Sequence, residues 1–287
     1  MTNQTNPHPH VGSDLGDRLN RGLIYLMFFM LVIIALYPLL WVATNSFKTD
    51  IQLFENSWEL PQEWHWENYA KAWKYGIAKY ILNSVLVTVS AVLLNALISL
   101  MAAYGLSRFR FKGQSALLYF ILGGLMLAPE VSLIPLFRIL TTLNLYDTYF
   151  AMILPNVAFG IPFTTFLIRS YMLGLPRDFE EAAVIDGAGA FAVFWRVVVP
   201  LCRPILASAM LLDAMRVWNE FMFALTFVVD DDIKTVPLGL MSFASALREQ
   251  WTVVMAGLII SAIPMIMLYL LTQQQFIRGL TAGGVKG

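Results

Sequence analysis

Six stretches of this chain are too apolar and too long for water to be their solvent. They run from about Leu23 to Val42, Ile81 to Tyr104, Leu117 to Leu140, Tyr149 to Ile168, Ile205 to Val229 and Val253 to Leu271. About 20 apolar residues in a helix cross the hydrocarbon core of a bilayer. Inside that core each backbone polar group must find its partner within the protein, which favours helices. The expected fold is an all-α integral membrane protein of six transmembrane helices. Composition agrees, because 58% of the 287 residues are hydrophobic and only 13% are charged, outside the range of an ordinary soluble domain. The formal net charge of zero gives no basic surface for nucleic acid. Cys202 is the single cysteine, so an intramolecular disulfide is excluded and a thiolate metal cluster has no basis. Residues 1–22 read as a polar tail, with His8 and His10 as tail residues rather than ligands. The first apolar run is long enough to span, so no cleavable signal peptide is expected.

Polar residues inside the spans carry the next layer of information. The second span holds Asn83, Ser90, Asn95 and Ser99, side chains that hydrogen-bond across helices, so one side of it should face protein. The third is interrupted by Gly123, Gly124, Pro129 and Pro135, and the fourth by Pro155, Gly160 and Pro162. These predict kinks where neighbours or a cavity satisfy the freed backbone groups. Between the first two spans, Trp58, Trp64, Trp66, Tyr69, Trp73 and Tyr75 are the amphipathic rings of a membrane surface.

The fifth span carries Asp213, Arg216, Trp218, Asn219 and Glu220. A charge at the bilayer centre costs at least about 2.5 to 3.5 kcal/mol on insertion scales, so these side chains need partners. On a continuous helix, positions 213, 216 and 220 share one face, with Arg216 placed to pair with both Asp213 and Glu220. Glu130 lies about 22 Å along the third span and Glu220 about 24 Å along the fifth, so a contact from Glu130 to Arg216 or Asn219 is open to them. Two readings follow: an internal salt bridge that fixes helix packing, or a stripe lining a translocation path.

The stretch between spans four and five is of a different kind. Arg177-Asp178-Phe179-Glu180-Glu181-Ala182-Ala183-Val184-Ile185-Asp186-Gly187-Ala188 has helical spacing, with Pro176 before it and acids near its N-terminus, where the dipole favours them. Gly187 permits the left-handed turn that ends such a helix. The small Ala182 and Ala183 let another surface approach the backbone. Basic residues, among them Arg108, Arg110, Lys112, Arg177 and Arg196, gather on the side that holds this stretch and both termini. By the positive-inside rule that side is cytoplasmic.

Motifs for autonomous chemistry are missing. The nearest approach to a phosphate-binding loop, Gly279 to Lys286, fails the spacing. Neither H-E-x-x-H nor G-x-S-x-G occurs, and no histidine lies within a span. A rival reading makes the chain an intramembrane enzyme using Glu130, Asp213 and Glu220 as acid and base groups, though no nucleophile or metal ligand accompanies them. A self-contained channel is a third.

The run Glu181-Ala182-Ala183-x-x-Asp186-Gly187-Ala188, with Phe194, Val197 and Pro200-Leu201 after it, resembles the EAA loop of ABC-importer permeases. Leu143-Asn144-Leu145-Tyr146-Asp147-Thr148-Tyr149, Trp218-Asn219-Glu220-Phe221 and the ending Gly279-Leu280-Thr281-Ala282-Gly283-Gly284-Val285-Lys286-Gly287 are similar to the second permease subunit of maltose-type carbohydrate importers. The resemblance covers nearly the whole chain from Leu23. It implies a type I ABC-importer permease fold in the bacterial inner membrane: a transmembrane domain over 23–275, a cytoplasmic coupling loop over 171–203 and a cytoplasmic tail over 276–287. Glu180, Glu181, Ala182, Ala183, Ile185, Asp186, Gly187 and Ala188 would couple the permease to an ATPase. The implied partners are a sister permease, two copies of an ABC ATPase that bind ATP and Mg, and an extracytoplasmic solute-binding protein. No cofactor is expected on this chain. Glu130, Asp213, Arg216, Trp218, Asn219 and Glu220 are candidates for the translocation path, with Tyr146 a further candidate sugar contact. The substrate expected from the resemblance is a sugar or related polyol, with glycerol phosphate as the alternative.

Overall fold

A computed structural model describes residues 14–247 and 250–281, in which helices and connecting turns alternate. The helices are α1 (Asp14–Asn45), α2 (Asp50–Glu55), α3 (Glu67–Ala72), α4 (Ala78–Arg108), α5 (Gln114–Gly123), α6 (Leu133–Thr142), α7 (Tyr149–Leu173), α8 (Asp178–Ile185), α9 (Ala190–Val193), α10 (Val199–Leu201), α11 (Arg203–Trp218), α12 (Met222–Phe227), α13 (Val236–Ala246) and α14 (Trp251–Thr281). Among the described residues, four helical segments are long and apolar enough to cross a membrane unaided, and two bent pairs raise the number to six.

Both bends have local causes. In the third expected span, α5 and its 3-10 extension give way to extended backbone at Leu127 and Ala128. Pro129 then opens a second 3-10 turn, and the two halves meet at 98°. The other bend, 74°, separates Ala190–Leu201 from Arg203–Trp218, where Pro204 starts α11. A proline here costs no helical hydrogen bond, since its missing N–H belongs to the first turn.

The bundle core forms where α4, α7 and α11 cross, with α14 packed on α11. Small residues line this crossing: Ala91, Ala96, Ser99 and Ala103 on α4, and Gly160, Thr164 and Thr165 on α7. Close approach of this kind is how helices associate in lipid, where burial of apolar surface gives little net drive. Toward one end, Leu100, Ile168, Met172, Phe194, Val198 and Cys202 form a buried cluster. Toward the other, Tyr80, Trp218, Val236 and Phe243 form a second. By contrast, α1 is exposed along its apolar length and packs chiefly on α14.

The bundle has two distinct ends. At one, the loops around Asp147, Asp230 and Asp50 meet: Asp147 Oδ1 accepts from the amides of Val229 and Asp230 at 2.8 and 3.0 Å, and Asp50 Oδ1 accepts from Thr252 N at 2.9 Å. Lys79 pairs with Asp232, and Lys234 with Asp231. Asn83 donates to the carbonyls of Asp232 and Lys234, both at 2.9 Å. The aromatic segment lies here too, with Phe47 ringed by Trp64, Trp66 and Tyr69 at 4.7 to 4.9 Å. Beneath it Lys48 is buried and donates to Asn56 O at 3.0 Å; burial pulls its ammonium below the usual lysine range. At the opposite end lie Arg108, α8 and the start of α11.

Several sequence-based bounds change. Helix α1 begins at Asp14, so the expected polar tail over 1–22 is helical from there, and α14 continues through Thr281 across the expected boundary at 276. The rest of the glycine-rich ending, residues 282–287, lies outside the described residues. The fifth span does not run unbroken to Val229. Helix α11 stops at Trp218, where Asn219 Nδ2 turns back to Met215 O at 2.8 Å. Glu220 then caps α12, its Oε1 accepting from Phe223 N at 2.6 Å and its Oε2 from Ala224 N at 3.3 Å.

Candidate functional site

Two places hold most of the sequence-predicted site residues, one inside the bundle and one at its Arg108 end. The first is built on α4, α7 and α11. Asp213 Oδ1 accepts from Arg216 Nε at 3.0 Å and Nη2 at 2.7 Å. Its Oδ2 accepts from Asn95 Nδ2 at 2.8 Å, and the same amide donates to Thr164 Oγ1 at 3.0 Å. Ser99 Oγ donates to Asn95 Oδ1 at 2.9 Å. Arg216 also reaches α7, donating from Nη1 to Asn156 Oδ1 at 3.0 Å and from Nη2 to Asn156 O at 2.6 Å. Asp213 is 5% exposed at its side chain and Arg216 37%. The carboxylate is thus sealed and the guanidinium has an open edge.

The pattern decides part of the sequence reading. Arg216 pairs with Asp213, while among the described residues Glu220 makes no hydrogen bond or ion pair with either, because the helix ends first and Glu220 holds the N-terminus of α12. Glu130 sits exposed in the 3-10 turn after Pro129, and among the described residues no ion pair or hydrogen bond joins it to Arg216 or Asn219. Trp218 is buried with Tyr80 and Val236, Asn219 is exposed, and Tyr146 stacks edge-on against Phe137 at 5.2 Å. The acids of the enzyme reading therefore have three separate settings. Among the described residues no cluster of His, Cys, Asp or Glu is arranged to hold a metal.

Asn156, Thr164 and Gly160 were not foreseen as members of this cluster. At Gly160 the helices approach closely: a Cβ there would lie 2.3 Å from Asn95 Nδ2 and 2.9 Å from Arg216 Nη2. Gly160→Ala is expected to lower stability by about 1 to 3 kcal/mol, the usual cost of overpacking, read as a lower unfolding temperature of the detergent-solubilised protein.

The second place is α8. Asp178, Glu180 and Glu181 occupy its first turn. Its end is a Schellman turn: Ala188 N donates to Ala183 O at 2.9 Å, Gly187 N donates to Val184 O at 3.0 Å, and Gly187 has φ +86°. Phe179, Val184 and Ile185 are exposed, Ile185 at 86%, as are Glu181, Ala182 and Asp186. Ala183 and Ala188 turn inward against the cluster around Phe194. Glu180 also points inward, its Oε1 accepting from Arg108 Nε at 2.7 Å, and both side chains are largely buried.

Residues 95–281 match the family described as the binding-protein-dependent transport system inner membrane component. The chain belongs to this family. It is a multi-pass membrane permease subunit, not an enzyme. This permease is 49% identical to the probable ABC transporter permease protein YurM of Bacillus subtilis, over 92% of the chain and 88% of that protein. It is 36% identical to the trehalose/maltose transport system permease protein MalG of Thermococcus litoralis, over 94% and 98%. With the diacetylchitobiose uptake system permease protein NgcG of Streptomyces coelicolor it shares 33%, over 93% and 89%. In fold it matches a chain of a bacterial ABC transporter involved in import of the acidic polysaccharide alginate, with a TM-score of 0.77 at 24% identity, covering 94% of the permease and all of that chain.

Proposed function

We propose that this permease forms half of the translocation path of an ATP-driven importer for a sugar or related polyol. The observation that carries the coupling half of this reading is α8: a short, acidic-ended helix whose apolar residues face outward at the basic end of the bundle. Such a surface suits insertion into a cleft of another protein, with small Ala182 allowing close backbone approach. The chain has no phosphate-binding loop of its own, so ATP and Mg would be held by partner ATPases. A sister permease would complete the path, and a solute-binding protein would deliver substrate to the Asp147 and Asp230 end. Both termini would then be cytoplasmic. Closure of two ATPases would draw the α8 helices together and rock the permeases from inward-facing to outward-facing. Support for carbohydrate comes from the substrates in the names of relatives such as the trehalose/maltose and diacetylchitobiose permeases.

Co-expression with the adjacent reading frames tests the reading. Affinity purification on this chain is expected to recover an ATPase and a second permease. Binding of a panel of mono- and oligosaccharides, polyols and glycerol phosphate to the purified solute-binding protein then identifies the ligand. A chain that purifies alone and conducts current, or turns over lipid or peptide unaided, would overturn it.

A further inference from the structure

Within its own loop, α8 packs chiefly on α9 and the π-turn Phe194–Val198. Its link to another span is made by side chains. Arg108, the last residue of α4, donates from Nε to Glu180 Oε1 at 2.7 Å, with the two side chains only 7% and 14% exposed. Arg108 Nη2 also reaches Leu175 O at 3.5 Å, and Arg177, just before α8, donates to Ser107 O at 3.3 Å. The end of α4 and the start of α8 thus hold each other reciprocally. From Arg108, α4 runs without interruption to Ala78, about 46 Å at the rise of an α-helix. Near its middle, Asn95 is bound to Asp213 of α11 and Thr164 of α7.

Apolar contact, such as that of Ala183 and Ala188 with the cluster below them, is non-directional. A charge-assisted hydrogen bond between two buried side chains is directional, and removing either partner leaves the other charge stranded. We propose that the Arg108–Glu180 ion pair is the tie that makes α4 follow α8, so that displacement of α8 reaches the buried cluster at Asn95. Arg108 is a positioning residue in this scheme. The inference rests on the reading of α8 as the helix that docks an ATPase.

The test uses the complete complex with its ATPases in nanodiscs, with Cys202→Ser and nitroxide labels at Asp178 on α8 and Leu93 on α4, both exposed. Pulsed electron spin resonance reads the distance between them before and after trapping with ATP and vanadate. With the native pair, the distance is expected to be the same in both states. With Arg108→Gln it is expected to match the native value before trapping, then shift and broaden after it. The charge reversal Arg108→Glu with Glu180→Arg should restore the invariant distance. Glu180→Gln, which keeps an acceptor for Nε, should give a smaller shift and serves if Arg108→Gln does not assemble. Three results overturn the tie: a trapped variant that keeps the native distance, a native complex in which α8 moves against α4, or a variant distance already altered without ATP. Absence of any ATPase from the complex instead removes the docking reading, and this inference with it.

Discussion

Asp213→Leu is expected to lower sharply the recovery of folded, monodisperse permease and its unfolding temperature. The carboxylate accepts two hydrogen bonds from Arg216 and one from Asn95 while almost wholly buried. Its removal leaves Asn95 Nδ2 without its carboxylate acceptor and the Arg216 guanidinium with Asn156 and its own open edge. Breaking a wholly buried pair from one side costs about 3 to 5 kcal/mol, a figure that the open edge of Arg216 lowers here, against a total stability that for most domains is about 5 to 15 kcal/mol. Removing both charges is a different experiment. Asp213→Leu with Arg216→Met should recover most of the loss, because an apolar pair of similar volume carries no desolvation penalty. Size-exclusion profiles and thermal unfolding in detergent read both outcomes. A single variant as stable as the parent would show that the cluster does not hold α4, α7 and α11 together. The double variant also separates the two roles open to Arg216: if folding returns and uptake does not, the open edge of the guanidinium belongs to the path.

The second large effect is expected at the end of α8. Gly187→Pro cannot take the native φ of +86°, since the proline ring holds φ near −65°. It also lacks the N–H that closes the Schellman turn on Val184 O. The bundle core lies elsewhere, so the variant should insert and assemble, while α8 ends in the wrong direction. Glu181→Lys reaches the same end by charge, placing a cation in the first turn where the dipole disfavours it. Either change should lower binding-protein-stimulated ATP hydrolysis about tenfold or more in the reconstituted complex, within the usual span of coupling energies. Unchanged stimulation with normal assembly would remove α8 from the coupling path.

The sequence already carried much of this arrangement, for reasons that particular residues make plain. The apolar runs marked the spans because backbone in lipid must satisfy itself. Gly187 marked the end of α8 because few other residues accept its φ. Prolines and glycines marked the third span as broken, though its 98° angle is a property of packing. The fifth span misled, since its hydropathy continues past Trp218 while its hydrogen bonds do not: Asn219 and Glu220 spend their side chains on the backbone, ending one helix and capping the next. Asp213 with Arg216 was legible from an i, i+3 spacing. Asn95, Asn156 and Thr164 meet them only through the crossing of three helices separated by tens of residues, and Arg108 meets Glu180 the same way. No local pattern encodes such meetings.

The solitary position of α1 bears on the order in which the molecule is built. Its chief neighbour, α14, is the last of the described helices to be synthesised, and 205 residues lie between the end of one and the start of the other (250 − 45). At about 5 to 20 residues per second, the first helix waits in the bilayer for about 10 to 40 s before that neighbour begins to emerge. During this interval its own hydrophobicity must hold it in place. Premature termination before Trp251 would therefore leave α1 inserted without its chief helical neighbour, held by lipid and by the contacts of Tyr37, Trp41 and Asn45 with the Ser57–Trp58 turn.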